Sequence, residues 1–417
     1  MSGYRVLYGF GQLPRKLGES PDKIPDGLIS GGTTKIDSVL SYLKYRFGGG
    51  VDLSHNRNIQ VAHAWDLGQR EATITTQGIR EVEWSANGMV MPEHLKWLEY
   101  LFCTESIEIT GGSSYDSLSS HQQAVVSSTQ YSAYQDKINN PELDAPGKNT
   151  IRIYYYRPLN GPNHQIPHGK AAGMYQYRGL FDMITIKYNE ETGIKGDNEI
   201  TLLLGCIINS VTISYENGSD AAIKFSINGY AMVDPTMVFN TKDTEYDIIR
   251  DWVAEDLIGD VFTFGCLSTM EENAPDYEPV AETDSSSLDI STGVNRIADC
   301  GKAWYGAYSL GNLEYSVSTS TYSDDPNKYM AKVYGISNFT GVTDFKFPGK
   351  VPYLIPLAKI HTQDTLYPAP ASKFLDIDMQ KVATSSLNRT YAIGGDAVMD
   401  EPDLAPRKVQ IVVMSST

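Results

Sequence analysis

Apolar and polar residues alternate most regularly between residues 200 and 232. Val211 and Ile213 alternate with serine and threonine in the first half of this segment, and Phe225 and Ile227 alternate with polar residues in the second half. A period of two is typical of a half-buried strand, and the dipeptide Asn217-Gly218 between the two runs is typical of a tight turn. The pattern predicts a β-hairpin, in which we expect the core and assembly residues to be Gly205, Asn209, Val211, Ile213, Asn217, Gly218, Phe225 and Ile227.

Two segments have the spacing of amphipathic helices. Residues 92–103 begin with Pro92, which suits the first helical position, and continue with leucines at helical spacing. Residues 243–258 place Ile248, Trp252 and Val253 on one face and end just before Gly259, a residue typical of helix ends. We therefore predict one helix in each segment.

Three segments lack a periodic apolar face. Residues 1–34 are rich in Gly and Pro but also carry large apolar side chains, so they predict an extended arm that packs on something, such as a neighbouring subunit. Residues 113–149 are rich in Ser, Asn and Gln and predict a long surface loop. Residues 267–293 predict a solvated acidic loop, because seven acids and no Lys or Arg lie between residues 270 and 290.

The sequence predicts a mainly β protein, with sandwich or barrel lobes, one or two flanking helices and long loop insertions. The elements divide the chain into an N-terminal arm (1–34), a first β lobe that contains the loop insertion (35–235), a helical connector (236–266), the acidic loop (267–293), and a second β lobe or decoration region (294–417).

The net charge narrows the range of partners. The chain has 51 Asp plus Glu against 34 Lys plus Arg, for a formal net charge of −17. Tight binding to nucleic acid is disfavoured, because contact with phosphates needs clustered Lys and Arg.

The longest apolar run, residues 202–208, is far shorter than the roughly 20 residues of a membrane helix. The first 16 residues lack the order of a secretory signal, so we expect the four widely spaced cysteines to be free, mostly buried thiols.

Motifs that carry chemistry are weak in this chain. His164 and His168 have the four-residue spacing of a helical metal site, but Pro167 lies between them and no Glu follows His164. The chain has neither a Gly-x-Ser-x-Gly elbow nor a phosphate-binding glycine loop. We therefore predict no catalytic, cofactor or metal residues. An alternative is an acidic β-rich glycan hydrolase, with an aromatic platform near residues 154–156 and 175–177.

The central hairpin resembles that of the tail tube proteins of long-tailed bacteriophages. The resemblance lies in Gly205-Cys206 followed by Asn209-Ser210, in Glu216-Asn217-Gly218, and in the return strand from Phe225 to Tyr230. The leucine-rich segment 92–102 after a β-hairpin is similar to an early helix of that family, and residues 310–318 resemble a second set of its strands.

This resemblance implies a structural virion protein without a cofactor. Its copies would assemble in the host cytoplasm into rings, trimeric with pseudo-sixfold symmetry or hexameric, and the rings would stack into the tail. Other tail proteins would be partners, DNA would pass through the lumen with only passive contact, and no membrane would be involved. An acidic lining would repel DNA phosphates and so suits a conduit. The alternatives within the same fold are a baseplate hub, a tail terminator or the tube of an injection system.

Overall fold

A computed structural model of the chain describes most of the 417 residues. The described residues are 4–16, 19–30, 33–34, 36–64, 74–123, 128–139, 150–157, 179–189, 197–216, 223–240, 266–272, 278–298, 303–309, 311–322, 354–364, 374–390 and 398–416.

Strands dominate the described part of the chain, which confirms the mainly β prediction. The strands of the first half are β1 (Tyr4–Gly11), β2 (Ile29–Ser30), β3 (Thr33–Thr34), β4 (Gly49–Ala64), β5 (Ile74–Met89), β6 (Cys103–Thr110), β7 (Thr150–Arg157), β8 (Phe181–Asn189), β9 (Asp197–Glu216), β10 (Lys224–Ala231) and β11 (Thr236–Asn240). Those of the second half are β12 (Cys266–Glu272), β13 (Glu278–Ser291), β14 (Asn295–Ala298), β15 (Tyr305–Ser309), β16 (Glu314–Tyr322), β17 (Leu354–Asp364), β18 (Phe374–Thr390) and β19 (Met399–Ser416).

The described helices are short. The α-helices are α1 (Ile36–Tyr42), α2 (Ser120–Gln123) and α3 (Ser128–Asn139), and 3₁₀ helices cover Asp26–Leu28, Pro92–Tyr100 and Tyr115–Ser117. None of the described helices is long and apolar enough to cross a membrane.

Fifteen strands belong to one antiparallel sheet. Its main path runs β4-β5-β10-β9-β13-β12-β17-β18-β19-β7-β6. The 20-residue strand β9 connects its parts, because its first half pairs with β8 and β11 and its second half pairs with β10 and β13. Strand β8 pairs in turn with β1. Every described part of the sheet is thus reached through β9.

Six strands of the second half pair with one another in a closed ring. β13 pairs with β12, β12 with β17, β17 with β18, β18 with β19, β19 with β16, and β16 returns to β13. Closure leaves no edge strand within the ring. At one level of the ring, Thr283, Thr321, Asp400 and Arg389 pair in sequence across four strands. The buried Asp400 carboxylate accepts hydrogen bonds from Arg389 Nε at 2.5 Å and Nη2 at 2.8 Å.

The N-terminal arm packs on its own chain. Strand β1 pairs along its whole length with β8, and Phe10 is fully buried against Phe47 and Phe181. Leu13 and Leu28 lie in a second core with side chains of α1. The described part of residues 1–34 therefore packs on its own chain.

Several predicted loops and helices differ from the structure. Residues 92–100 form a 3₁₀ helix with non-helical dihedral angles at His94 and Leu95, and Cys103 already begins β6. The predicted loop at 113–149 contains helices in its described part. The leucine spacing does not distinguish these helix types, since it reports which residues face the core and not how the backbone is wound.

The predicted acidic loop is also wrong, because residues 266–272 and 278–291 are strands β12 and β13. In β13, the alternating residues Ser286, Leu288 and Ile290 are buried, while Asp289 between them is exposed. Asp289 therefore occupies the solvent face of β13. In the predicted connector, residues 236–240 form β11, and the helix predicted at 243–258 lies outside the described residues.

We predict that Ile213→Asp lowers the free energy of unfolding by about 4 kcal/mol, because it places an unpaired charge in the core. Ile213 is buried opposite Phe225 of β10 and Leu288 of β13. Urea unfolding followed by fluorescence measures the change. Asn228→Asp, on the exposed face of β10, is the matched control and should change stability by less than about 0.5 kcal/mol. Equal stability of the two variants would contradict this register.

Candidate assembly surface

The predicted hairpin is present as β9 and β10. The register places Ile213 opposite Phe225 and Val211 opposite Ile227, and all four side chains are buried in the largest core. Ser210, Thr212 and Ser214 lie on the other, more exposed face, as the alternation predicts. Asn217 and Gly218 lie outside the described residues. The four apolar site residues therefore hold the sheet together and do not themselves form a surface.

Asn209 lies where the register of the hairpin shifts. Its backbone carbonyl accepts hydrogen bonds from Thr292 N at 3.0 Å and from Thr292 Oγ1 at 2.9 Å, which attaches β9 to the end of β13. The shift falls between Asn228 and Gly229 of β10. A Cβ atom on Gly229 would lie 2.3 Å from the Trp84 ring, so only glycine fits there. Asn209 thus joins β9 to the end of β13 through its backbone carbonyl.

Gly205 is the point at which β9 changes partners. It has a φ of +62°, and its N–H donates to Asp182 Oδ1 at 3.0 Å. The fully buried Asp182 carboxylate also accepts two hydrogen bonds of 2.7 Å from the Arg15 guanidinium and one from the backbone N–H of Leu13. Arg15 Nη2 donates further to the carbonyl of Pro21. The arm, β8 and the bend of β9 are therefore joined at one buried ion pair.

The main path of the sheet ends at β4 and at β6, and off this path β1 and β11 are also edge strands, each paired with a single strand among those described. Among the described residues, β4 pairs only with β5, and β6 pairs only with β7. An edge strand presents unpaired N–H and C=O groups that can bind another strand. The structure thus has two strand-pairing surfaces at opposite ends of its main sheet path.

Beyond the core, β4 and β5 continue as a two-stranded ribbon, which we define as residues 54–64 and 74–80. The described side chains from Ser54 to Ile59 are all exposed, as is Val61. Ile59 is 46% exposed and Val61 is 51% exposed. Residues 54–64 and 74–80 contain no Asp or Glu, but Asn56 and Asn58 pair with Glu83 and Glu81 of β5. Arg57 forms an ion pair with Asp234 of the same chain. Partial desolvation and the neighbouring Arg57 cation lower the pKa of His55.

A cleft of about 560 Å³ lies next to the base of the ribbon. Its apolar wall includes Val82, Leu204, Met232, Val233 and Trp304. Its charged groups are the carboxylates of Asp22, Asp26 and Asp234 and the cations of Lys23 and Arg80. The Trp304 indole N–H donates to Asp22 at 2.8 Å, which orients the ring in the wall. The cleft therefore combines apolar contact area with charged groups, of which Asp234 is ion-paired with Arg57 of the same chain.

A second, hydroxyl-rich groove of about 540 Å³ crosses the sheet over β9, β13, β16, β19 and β18, which are neighbours in that order. Serines 214, 285, 287, 318, 320 and 386 line it. Hydrogen bonds from Ser386 and from Ser318, the latter at 2.8 Å, lower the pKa of the Asp403 carboxyl. The groove is therefore a polar surface in which the Asp403 carboxylate already accepts hydrogen bonds from the same chain.

The structure describes only some of the groups that suggested chemistry. The described residues contain no cluster of three His, Cys, Asp or Glu side chains that could hold a metal ion. His164, His168 and residues 175–177 lie outside the described part. Tyr156 is buried, so it cannot belong to an exposed aromatic platform. His361 and Asp376 pair across β17 and β18 at 2.5 Å, and Lys359 lies 3.6 Å from the same carboxylate. Of the cysteines, Cys206 is free and buried, as expected.

The ribbon and the cleft were not predicted from the sequence. The cleft could not have been predicted, because its walls come from the arm, β5, the segment after β10 and Trp304. No protein-family model matches this chain, and no curated protein matches it either.

We predict that Gly205→Ala destabilises the protein by about 1–2 kcal/mol, because a side chain is strained at positive φ. The added Cβ would also lie 3.0 Å from the Met232 side chain. Gly27→Ala is the control, since a Cβ there would have no neighbour within 4 Å. Thermal unfolding of both variants tests this expectation, and a Gly205→Ala variant as stable as Gly27→Ala would contradict it.

We predict that Arg15→Met lowers the free energy of unfolding by about 3–5 kcal/mol, because it leaves the Asp182 carboxylate buried without its cation. Arg57→Met removes a cation from the more exposed pair with Asp234, in which the side chains are 47% and 20% exposed. This control should cost less than about 1 kcal/mol. Urea denaturation of both variants gives the two values, and similar costs would show that Asp182 does not depend on Arg15.

Proposed function

We propose that this chain is a structural subunit of a long-tailed bacteriophage tail tube, in which it polymerises into stacked rings around a channel for DNA. The observation that carries the proposal is the pair of open edges, β4 and β6, at opposite ends of one sheet path. A heterologous contact between β4 of one copy and β6 of the next would repeat around a closed ring. The resemblance of the β9–β10 hairpin to the tail tube family supports the same assignment.

The composition of the chain supports a conduit. A net charge of −17 repels phosphate, so DNA would slide along the lumen without being held. The core that joins β9 to the closed ring of six strands provides a rigid wall, since every strand of that ring is paired on both sides. Assembly and passage would then need no catalytic group. A terminator with the same fold would use the same edges but form a single ring.

Electron microscopy across a concentration series, with mass measured in parallel, tests this function. We expect hollow filaments with a regular ring repeat, whose symmetry distinguishes three chains from six. Single rings that never stack would indicate a terminator. A compact monomer at every concentration would contradict self-assembly, and turnover in a glycan screen would then favour the hydrolase.

The edge itself is tested by Ser54→Lys, Asn56→Lys and Asn58→Lys combined in β4, because lysines on an edge strand oppose strand addition. The matched control places the same three charges on exposed positions of inner strands, as Asn228→Lys, Gln380→Lys and Asn388→Lys. We expect the control to form filaments like the parent and the edge variant to form none. Filaments from both would show that β4 does not pair between subunits.

A further inference from the structure

We propose that the closed ring of six strands binds an internal water molecule between Thr283 of β13 and Thr319 of β16. The proposal is independent of assembly, because it concerns the buried side of the ring within one chain. Thr283 and Thr319 are each 4% exposed, and neither Oγ1 atom has a hydrogen-bond partner among the described residues. Buried polar groups are almost always hydrogen-bonded to protein or to ordered water, so these two hydroxyl groups together indicate a binding site.

The two hydroxyl groups lie on the same face of the ring. Thr321 is directly opposite Thr283, and Thr319 is two positions from Thr321 in β16, so all three side chains share one face. Burial alternates along β16, and Thr319 and Thr321 are on its buried side. Diagonal neighbours of this kind are roughly 7–8 Å apart, with their side chains somewhat closer. A water molecule with hydrogen bonds of about 2.8 Å on either side spans that separation.

The surroundings of the two threonines place the site at the end of a polar layer. Ser286, opposite Thr319, is also buried, so it brings a third hydroxyl group to the same face. An internal water molecule needs two to four polar partners, and three hydroxyl groups meet that need. One layer further along the same two strands, Leu288 and Val317 belong to the large apolar core. The site therefore lies at the boundary between polar and apolar side chains.

A neutral ligand suits this layer better than a cation. Asp400 supplies a carboxylate at the same level, but both of its oxygens accept hydrogen bonds from Arg389. Thr321 Oγ1 donates to the backbone carbonyl of Asp400 at 3.3 Å. Among the described groups, the hydroxyls of Thr283 and Thr319 are then left for a ligand that can both donate and accept. Water does both, as a hydroxyl group requires of its partner.

Replacement of threonine by valine, which has the same shape, tests the shared water. Thr283→Val removes one partner and leaves Thr319 buried and unpaired, so we expect the equilibrium constant for unfolding to rise at least about fivefold. Thr319→Val should have the same effect for the same reason. The double variant loses the water together with both partners, so it should be no less stable than either single variant.

Urea unfolding of the three variants and the parent chain gives these constants. Thr390→Val, at an exposed position of β18, is the matched control and should change the constant by less than about twofold. Single variants as stable as the parent, or more stable, would overturn the proposal, because they would show that the hydroxyl groups are buried without water. Additive losses in the double variant would also overturn it, since each hydroxyl group would then have a separate partner.

The parent chain decides the question if a valine variant does not fold. A high-resolution crystal structure of the unsubstituted protein should show electron density for one water molecule within hydrogen-bond distance of Oγ1 of both Thr283 and Thr319. An ordered ring without such density would refute the proposal.

Discussion

The buried ion pair between Arg15 and Asp182 is the constraint on which the rest of the fold depends. Asp182 has no exposed surface, so its carboxylate is stable only because every neighbouring donor points at it. Those donors come from the arm and from Gly205 in β9. The pair therefore sets the place at which β9 bends and changes its partners, and it ties the N-terminal arm to that place.

The bend explains the unbroken apolar run from Leu202 to Ile208. Leu202 and Leu204 lie in the core beneath the arm, whereas Leu203, Cys206 and Ile208 belong to the large core. A strand that is buried on both faces has no polar side to alternate with. One strand thus serves two cores, and the partner change at Gly205 lets each half complete a different part of the sheet.

The same strand pairing determines which strands keep backbone N–H and C=O groups that another strand could bind. The ring of β12, β13, β16, β17, β18 and β19 uses both sides of each strand, and β9 is paired along both of its halves. Among the described strands, the ends of the main path, β4 and β6, keep one open side each. A rigid body with open edges is suited to assembly, because binding orders little that is not already ordered.

The sequence by itself determined the mainly β class, the hairpin and its buried face. Val211, Ile213, Phe225 and Ile227 were identified correctly as core residues because alternation is a local property of a strand with one dry face. The acidic segment was predicted as a loop for a related reason: Asp289 lies on the solvent-exposed face of β13, and only pairing with β9 and β16 makes that face part of a sheet. The 3₁₀ winding of residues 92–100, the closed ring, the ion pair between positions 15 and 182, and the cleft beside the ribbon all depend on contacts between distant segments. Local patterning does not encode such contacts, so only the tertiary structure decided them.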